Sequence, residues 1–128
     1  MPLKFILTDS TICFQTTGDV EYSEGLTILN EAMDQAEMRQ SSDPRGWHLL
    51  FDISESTENR ESNEMQNIAA VIQARRQSLS GRCAVVATDP LHFGLARMFA
   101  SYLESLGVEA MVKRDKGLAE DWLLESVK

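Results

Sequence analysis

The sequence predicts a single α/β domain built on a mostly parallel sheet covered by helices. Three observations carry that expectation. Short, nearly continuous apolar runs such as Trp47–Ile53 have the pattern of strands buried on both faces. Between them lie segments whose apolar residues recur at steps of three and four, the spacing of one helix face. The chain has 128 residues, a length that closes one core. The expected order across residues 1–128 is β-β-α-β-α-β-α-β-α: an N-terminal hairpin, then alternating strands and helices.

Residues 3–8 and 11–17 are short apolar or β-branched stretches, and the polar pair Asp9-Ser10 between them suits a tight turn. A helix follows over 22–38, with Tyr22, Leu26, Leu29, Met33 and Ala36 on one face. Ser41–Gly46 reads as a loop from its composition. The strand at 47–53 leads, through a polar stretch, to a helix over 64–79. Its face carries Met65, Ile68, Ala69, Ile72 and Leu79, with the Arg76 stem along the core edge and Ser80-Gly81 as the stop. Residues 82–88 form the next buried strand. Asp89-Pro90 then supplies a helix cap followed by proline at the first helical position, where no amide donor is required. That helix runs to Leu106, on a core stripe of Leu91, Leu95, Met98, Phe99, Tyr102 and Leu106. Strand 108–113 and a short helix capped by Asp115, carrying Leu118, Ala119, Trp122 and Leu123, complete the chain.

Twelve basic and twenty acidic residues give a net charge of −8. Binding to nucleic acid needs a basic face, so no nucleic-acid partner is expected. Apolar residues at 43% and charged residues at 25% are ordinary globular usage and exclude disorder. No apolar run approaches the ~20 residues of a membrane span. The first fifteen residues carry Asp9 and no small-residue cleavage pattern, so a soluble, cytoplasmic domain is expected. Cys13 and Cys83 sit in apolar runs without a C-x-x-C pair and read as free, buried thiols.

Parallel sheets place ligands beyond the carboxyl ends of their strands. That edge would present Asp52, Ser54, Thr88, Asp89 and the start of the helix at Pro90. A phosphoacceptor site at Asp52 would also want an acidic pair after the first strand and a lysine after the last. Asp9 stands alone in a turn and Lys113 precedes arginine, so Asp52 reads as a strand-end acid bonded to its loop. There is no G-x-S-x-G elbow and no glycine-rich phosphate loop, so no catalytic constellation is expected. His48 reads as a satisfied core histidine and His92 as a first-turn residue facing solvent or a ligand. Phe93 falls opposite the expected stripe of its helix, where it could line a pocket or seal a subunit contact.

Residues 84–123, AVVATDPLHFGLARMFASYLESLGVEAMVKRDKGLAEDWL, resemble the bacterial SpoIIAA-like family of small STAS-related domains, also likened to CRAL-TRIO lipid-binding domains. The shared features are a strand running into Asp89-Pro90, then Gly94-Leu95-Ala96-Arg97-Met98, then a short helix ending in Trp122-Leu123. His48–Ser54 and the hairpin before it fit the STAS element order. The resemblance implies a non-catalytic module. With the element order, the lack of a catalytic constellation and the off-stripe Phe93, the expectation is a domain without cofactor working through protein contacts of its second and third helices, as a homodimer or with another protein. The CRAL-TRIO likeness implies the alternative of a small apolar or lipid ligand; in that case Phe93 and Met98, read from the helix itself, are expected to border its cavity. Phosphoregulated STAS proteins carry Asp-Ser-Ser-Gly at the second helix. Here Glu61-Ser62-Asn63-Glu64 lacks the aspartate and the glycine, so Ser62 is expected to be a helix cap and not a phosphosite.

Overall fold

In the computed structural model, which describes residues 3–57 and 60–125, five strands lie side by side in sequence order. They are β1 (Leu3–Leu7), β2 (Thr11–Gly18), β3 (Trp47–Ser56), β4 (Leu79–Val86) and β5 (Glu109–Lys113). β1 and β2 form the expected antiparallel hairpin, and each later pairing is parallel, so the sheet is mixed. Asp9-Ser10 makes the turn, closed by the Thr8 amide donating to the Thr11 carbonyl at 2.9 Å.

The helices are α1 (Tyr22–Glu37), α2 (Ser62–Ala74), α3 (Pro90–Ser105) and α4 (Lys116–Leu124). Each of α1, α2 and α3 joins a strand to its immediate neighbour, always stepping the same way. Right-handed crossovers that step one way put their helices on one face. The main core agrees: Leu29 and Met33 of α1, Ala69 and Ile72 of α2, and Ala100 and Leu103 of α3 pack with Ile12, Phe14, Leu49 and Cys83 of the strands. α4, placed after the last strand, covers the other face, where Ala119 and Leu123 meet Leu50, Ala84 and Val86. The strand order never reverses. The sheet therefore has none of the crevice that a reversal opens at the strand ends of doubly wound folds.

Several boundaries and faces differ from the sequence reading. The second helix ends at Ala74 and a 3-10 turn follows at Arg76–Ser78. β4 begins at Leu79, so Leu79 starts a strand and Arg76 is exposed. Gly81, at φ +91°, lies inside β4. It sits where the β3 pairing shifts, since Trp47 pairs with Leu79 but Leu49 with Cys83. β3 continues to Ser56, past the expected end at Ile53.

The cap of α2 is Glu61, whose amide donates to the Glu64 side chain at 3.1 Å in a capping box. Ser62 is thus the first helical residue and not the cap; its hydroxyl bonds Tyr102 Oη at 2.6 Å. Asp89 and Asp115 do cap α3 and α4, accepting from the amides of His92 at 2.9 Å and Gly117 at 2.6 Å. Cys83 is fully buried and Cys13 half-buried, both free, and burial pushes both thiols up.

On α3 the buried face is Ala96, Ala100 and Leu103, while Leu91, Met98 and Leu106 of the expected stripe are exposed. The small residues face inward because they let the helix approach the sheet closely. Phe93 is consequently on the packed side, against Val85, Ala87 and Ala96, with the Arg114 guanidinium 4.2 Å over its ring.

Candidate functional site

An apolar opening lies between the helical layer and the sheet. It is a cavity of about 140 Å³, walled by Phe14, Phe51, Leu29, Met65, Ile68 and Phe99. Each wall residue is placed by its element's periodicity. Phe14 and Phe51 point to the helical face from adjacent strands and stack at 4.8 Å, and Phe99 meets Phe51 edge-on at 6.0 Å. Leu29, Met65 and Ile68 close the space from α1 and α2. Gly25 of α1 also borders it: a Cβ there would approach the Arg60 guanidinium at 3.7 Å.

Polar groups gather along one part of this wall. Thr16 follows Ile12 and Phe14 on the inward side of β2, and Ser56 ends β3; both are buried. Tyr22, Arg60 and His92 are half-buried beside them. Arg60 Nη2 donates to the Val20 carbonyl at 2.6 Å, and its guanidinium lies 5.6 Å from the Tyr22 ring centroid. His92 Nδ1 donates to Asp89 Oδ2 at 2.5 Å, and the His92 amide holds the Asp89 carboxyl below its ordinary value. The cavity thus offers apolar walls with hydrogen-bonding groups on one part, the arrangement of a small-molecule pocket.

The structure does not bring the sequence-predicted residues together. His92 lines the cavity. Phe93 does not, being packed under Arg114, and Met98 is 41% exposed on the outer side of α3. Asp52 and Ser54 lie on the face covered by α4, beside Val86 and near Cys13, and bond each other: Ser54 Oγ donates to Asp52 Oδ1 at 2.6 Å. They bond each other within β3, on the opposite sheet face, and do not line the pocket. The polar rim of Thr16, Tyr22, Ser56 and Arg60 escaped sequence reading. The local trace was Gly25, a glycine inside a helical stripe, where alanine would be favoured by ~1 kcal/mol.

A second polar constellation sits at the opposite end of β3. His48 is fully buried; one ring nitrogen lies 2.9 Å from Asp43 Oδ2 and the other 2.7 Å from Ser80 Oγ. Arg45, bonded to Asp43 at 2.7 Å, holds that carboxyl well below the usual carboxylate range, so it only accepts. Burial pushes the His48 pKa down, so the ring is neutral. Nε2–H therefore donates to Asp43, and Ser80 donates to Nδ1. Ser80 Oγ also accepts from the Arg82 amide at 3.2 Å. These are the residue types of a nucleophilic triad, but with the imidazole sealed from any cleft the network pins loop 41–46 to β4. The core-histidine reading stands. Among the described residues no group of His, Cys, Asp or Glu could hold a metal ion, and no helix is long and apolar enough to cross a membrane.

A singly wound sheet, three helices on one face, a closing helix on the other and an apolar cavity between layers define a small α/β domain. Comparison with solved structures specifies it further. The chain superposes with a TM-score of 0.59 on an uncharacterized protein of the DUF3478 family from Shewanella loihica PV-4, described as having a SpoIIAA-like fold. The match covers 94% of this chain and 91% of that one at 16% identity, a likeness of fold. The fold here is SpoIIAA-like, as the resemblance of residues 84–123 implied. No protein-family profile matches the chain, and no curated protein does.

Proposed function

We propose that this domain is a non-catalytic binding module that takes a small, largely apolar molecule into the cavity between α1, α2, α3 and the sheet. The cavity carries this reading. Cavities of roughly 150 Å³ lined by Leu, Ile and Phe stay dry and take up molecules the size of benzene, and this one is of that order at about 140 Å³. Its volume matches a ring or a short aliphatic segment, and a longer chain would have to continue past the polar rim. Tyr22, Ser56 and Thr16 offer hydroxyls to such a ligand's polar end. The SpoIIAA-like fold supports a module over an enzyme.

Native mass spectrometry of purified protein, with a thermal-shift series from benzene through hexanol to decanol, tests the reading. The expected outcome is a bound adduct or stabilisation by the shorter probes, abolished in Ile68→Trp, which fills the wall. Protein that carries nothing and is unmoved by every probe would overturn it.

A further inference from the structure

We infer that the outward side of α3 is a self-complementary helix face on which a second copy of this chain docks antiparallel. This does not depend on the cavity. Leu91, Gly94, Met98, Ser101 and Ser105 follow one another at steps of three and four, so they form a straight seam along the helix. The seam lies opposite the buried face of Ala96, Ala100 and Leu103, and its two large residues, Leu91 and Met98, are 57% and 41% exposed. Its small residues make it able to receive side chains from outside. A Cβ on Gly94 would meet nothing within 4 Å. Ser101 and Ser105 turn their hydroxyl protons back onto the carbonyls of Met98 at 3.0 Å and Tyr102 at 2.7 Å, which satisfies those donors within the helix.

The flanks decide which occupant and which direction. Arg97 and Glu104 run along one side of the seam and Leu95 and Tyr102 along the other. Arg97 and Glu104 are exposed, and their seven-residue separation is about 10.5 Å along the axis, too far for one chain to pair them. Two copies laid antiparallel, with Met98 of each facing Ser101 of the other, put each Gly94 against Ser105. The same register sets each Arg97 against Glu104, while Leu95, in the cavity wall, and Tyr102, bonded to Ser62, stay on the α2 side. Every contact then occurs twice, as a two-fold interface requires. A parallel pairing would stack Gly94 on Gly94 and turn both charges toward the α2 side of the other copy, away from each other. The charge pattern therefore fits an antiparallel copy and gives a parallel one nothing.

Sedimentation velocity from micromolar to near-millimolar protein, at low salt, tests this with Arg97→Glu, Glu104→Arg, the double exchange and Met98→Glu, circular dichroism checking that each is folded. The wild-type chain should dimerise reversibly. Each single charge exchange should weaken the dimer by about tenfold, two attractive contacts becoming two repulsive ones. The double exchange should restore it, and Met98→Glu should leave monomer. A wild-type chain that stays monomeric overturns the inference. So does a dimer indifferent to these substitutions, or one that the double exchange fails to restore.

Discussion

At His48 the physics is that of a titratable ring with no water to hold its charge. Burial, with Arg45 and Arg82 on the same side, outweighs Asp43, which favours the charged form, and lowers the folded pKa below the ordinary 6.5. A histidine whose pKa falls on folding binds more protons unfolded. Its neutral form's contribution is therefore complete above about 6.5 and lost as pH drops from there toward the folded value. In that window stability should fall by up to about 1.4 kcal/mol per pH unit. Asp43 acts in a separate, more acidic window, because its depressed carboxyl is stabilising above the unfolded value of 3.8. We expect thermal midpoints to decline from pH 7.5 to 5, and His48→Gln, less stable throughout, to lose most of that slope. A variant that keeps the wild-type slope would place the titration elsewhere.

Between elements, the contact of Ser62 with Tyr102 ties the first turn of α2 to α3. It is an exposed bond, so its net worth is at the low end for neutral groups, about 0.5 kcal/mol. Urea unfolding of Ser62→Ala, Tyr102→Phe and the double variant should give a coupling of that size; zero coupling would mean the two helices are held by packing alone. This contact also shows what was legible in the sequence. Asp89-Pro90, Asp115 and the hairpin turn could be read because capping and turning are local chemistry. The start of β4 could not, because Leu79 continues the helical spacing of α2. The inward face of α3 could not either. Apolar residues surround that helix, so the periodicity had two solutions. The bulky stripe through Leu91 and Met98 competed with the compact one through Ala96 and Ala100, and close approach to the sheet selects the second. The candidate site was the least legible feature, since its wall draws on β2, β3, α1, α2 and α3 at once. A cavity between layers is a property of packing and leaves single residues such as Gly25 as its only local trace.

At the scale of the whole molecule, the singly wound topology makes the two sheet faces unequal. Among the described residues three helices cover one face and α4 alone covers the other, where Leu123 and Ala119 are fully buried against Leu50, Ala84 and Val86. α4 has nine residues, a length at which an isolated helix has no stability of its own, so it is held by these contacts. Arg82 reinforces them by donating to the Trp122 carbonyl at 2.8 Å and lying 5.1 Å from the Trp122 ring centroid. Because α4 packs on the central strands that also bear the main core, loss of its anchor should weaken the domain as a unit. Leu123→Ala should cost 2–5 kcal/mol, the range for emptying a fully buried leucine site. The two tryptophans allow the cooperativity to be checked. Trp47 is buried in the main core, its indole donating to the Ala36 carbonyl at 3.0 Å, and Trp122 reports on α4. In a Trp122→Phe background, Trp47 fluorescence and far-ultraviolet circular dichroism should shift to the same lower urea midpoint when Leu123→Ala is added. A Trp47 midpoint that stays in place while helical signal is lost earlier would instead mean that α4 detaches on its own and the second face is dispensable to the core.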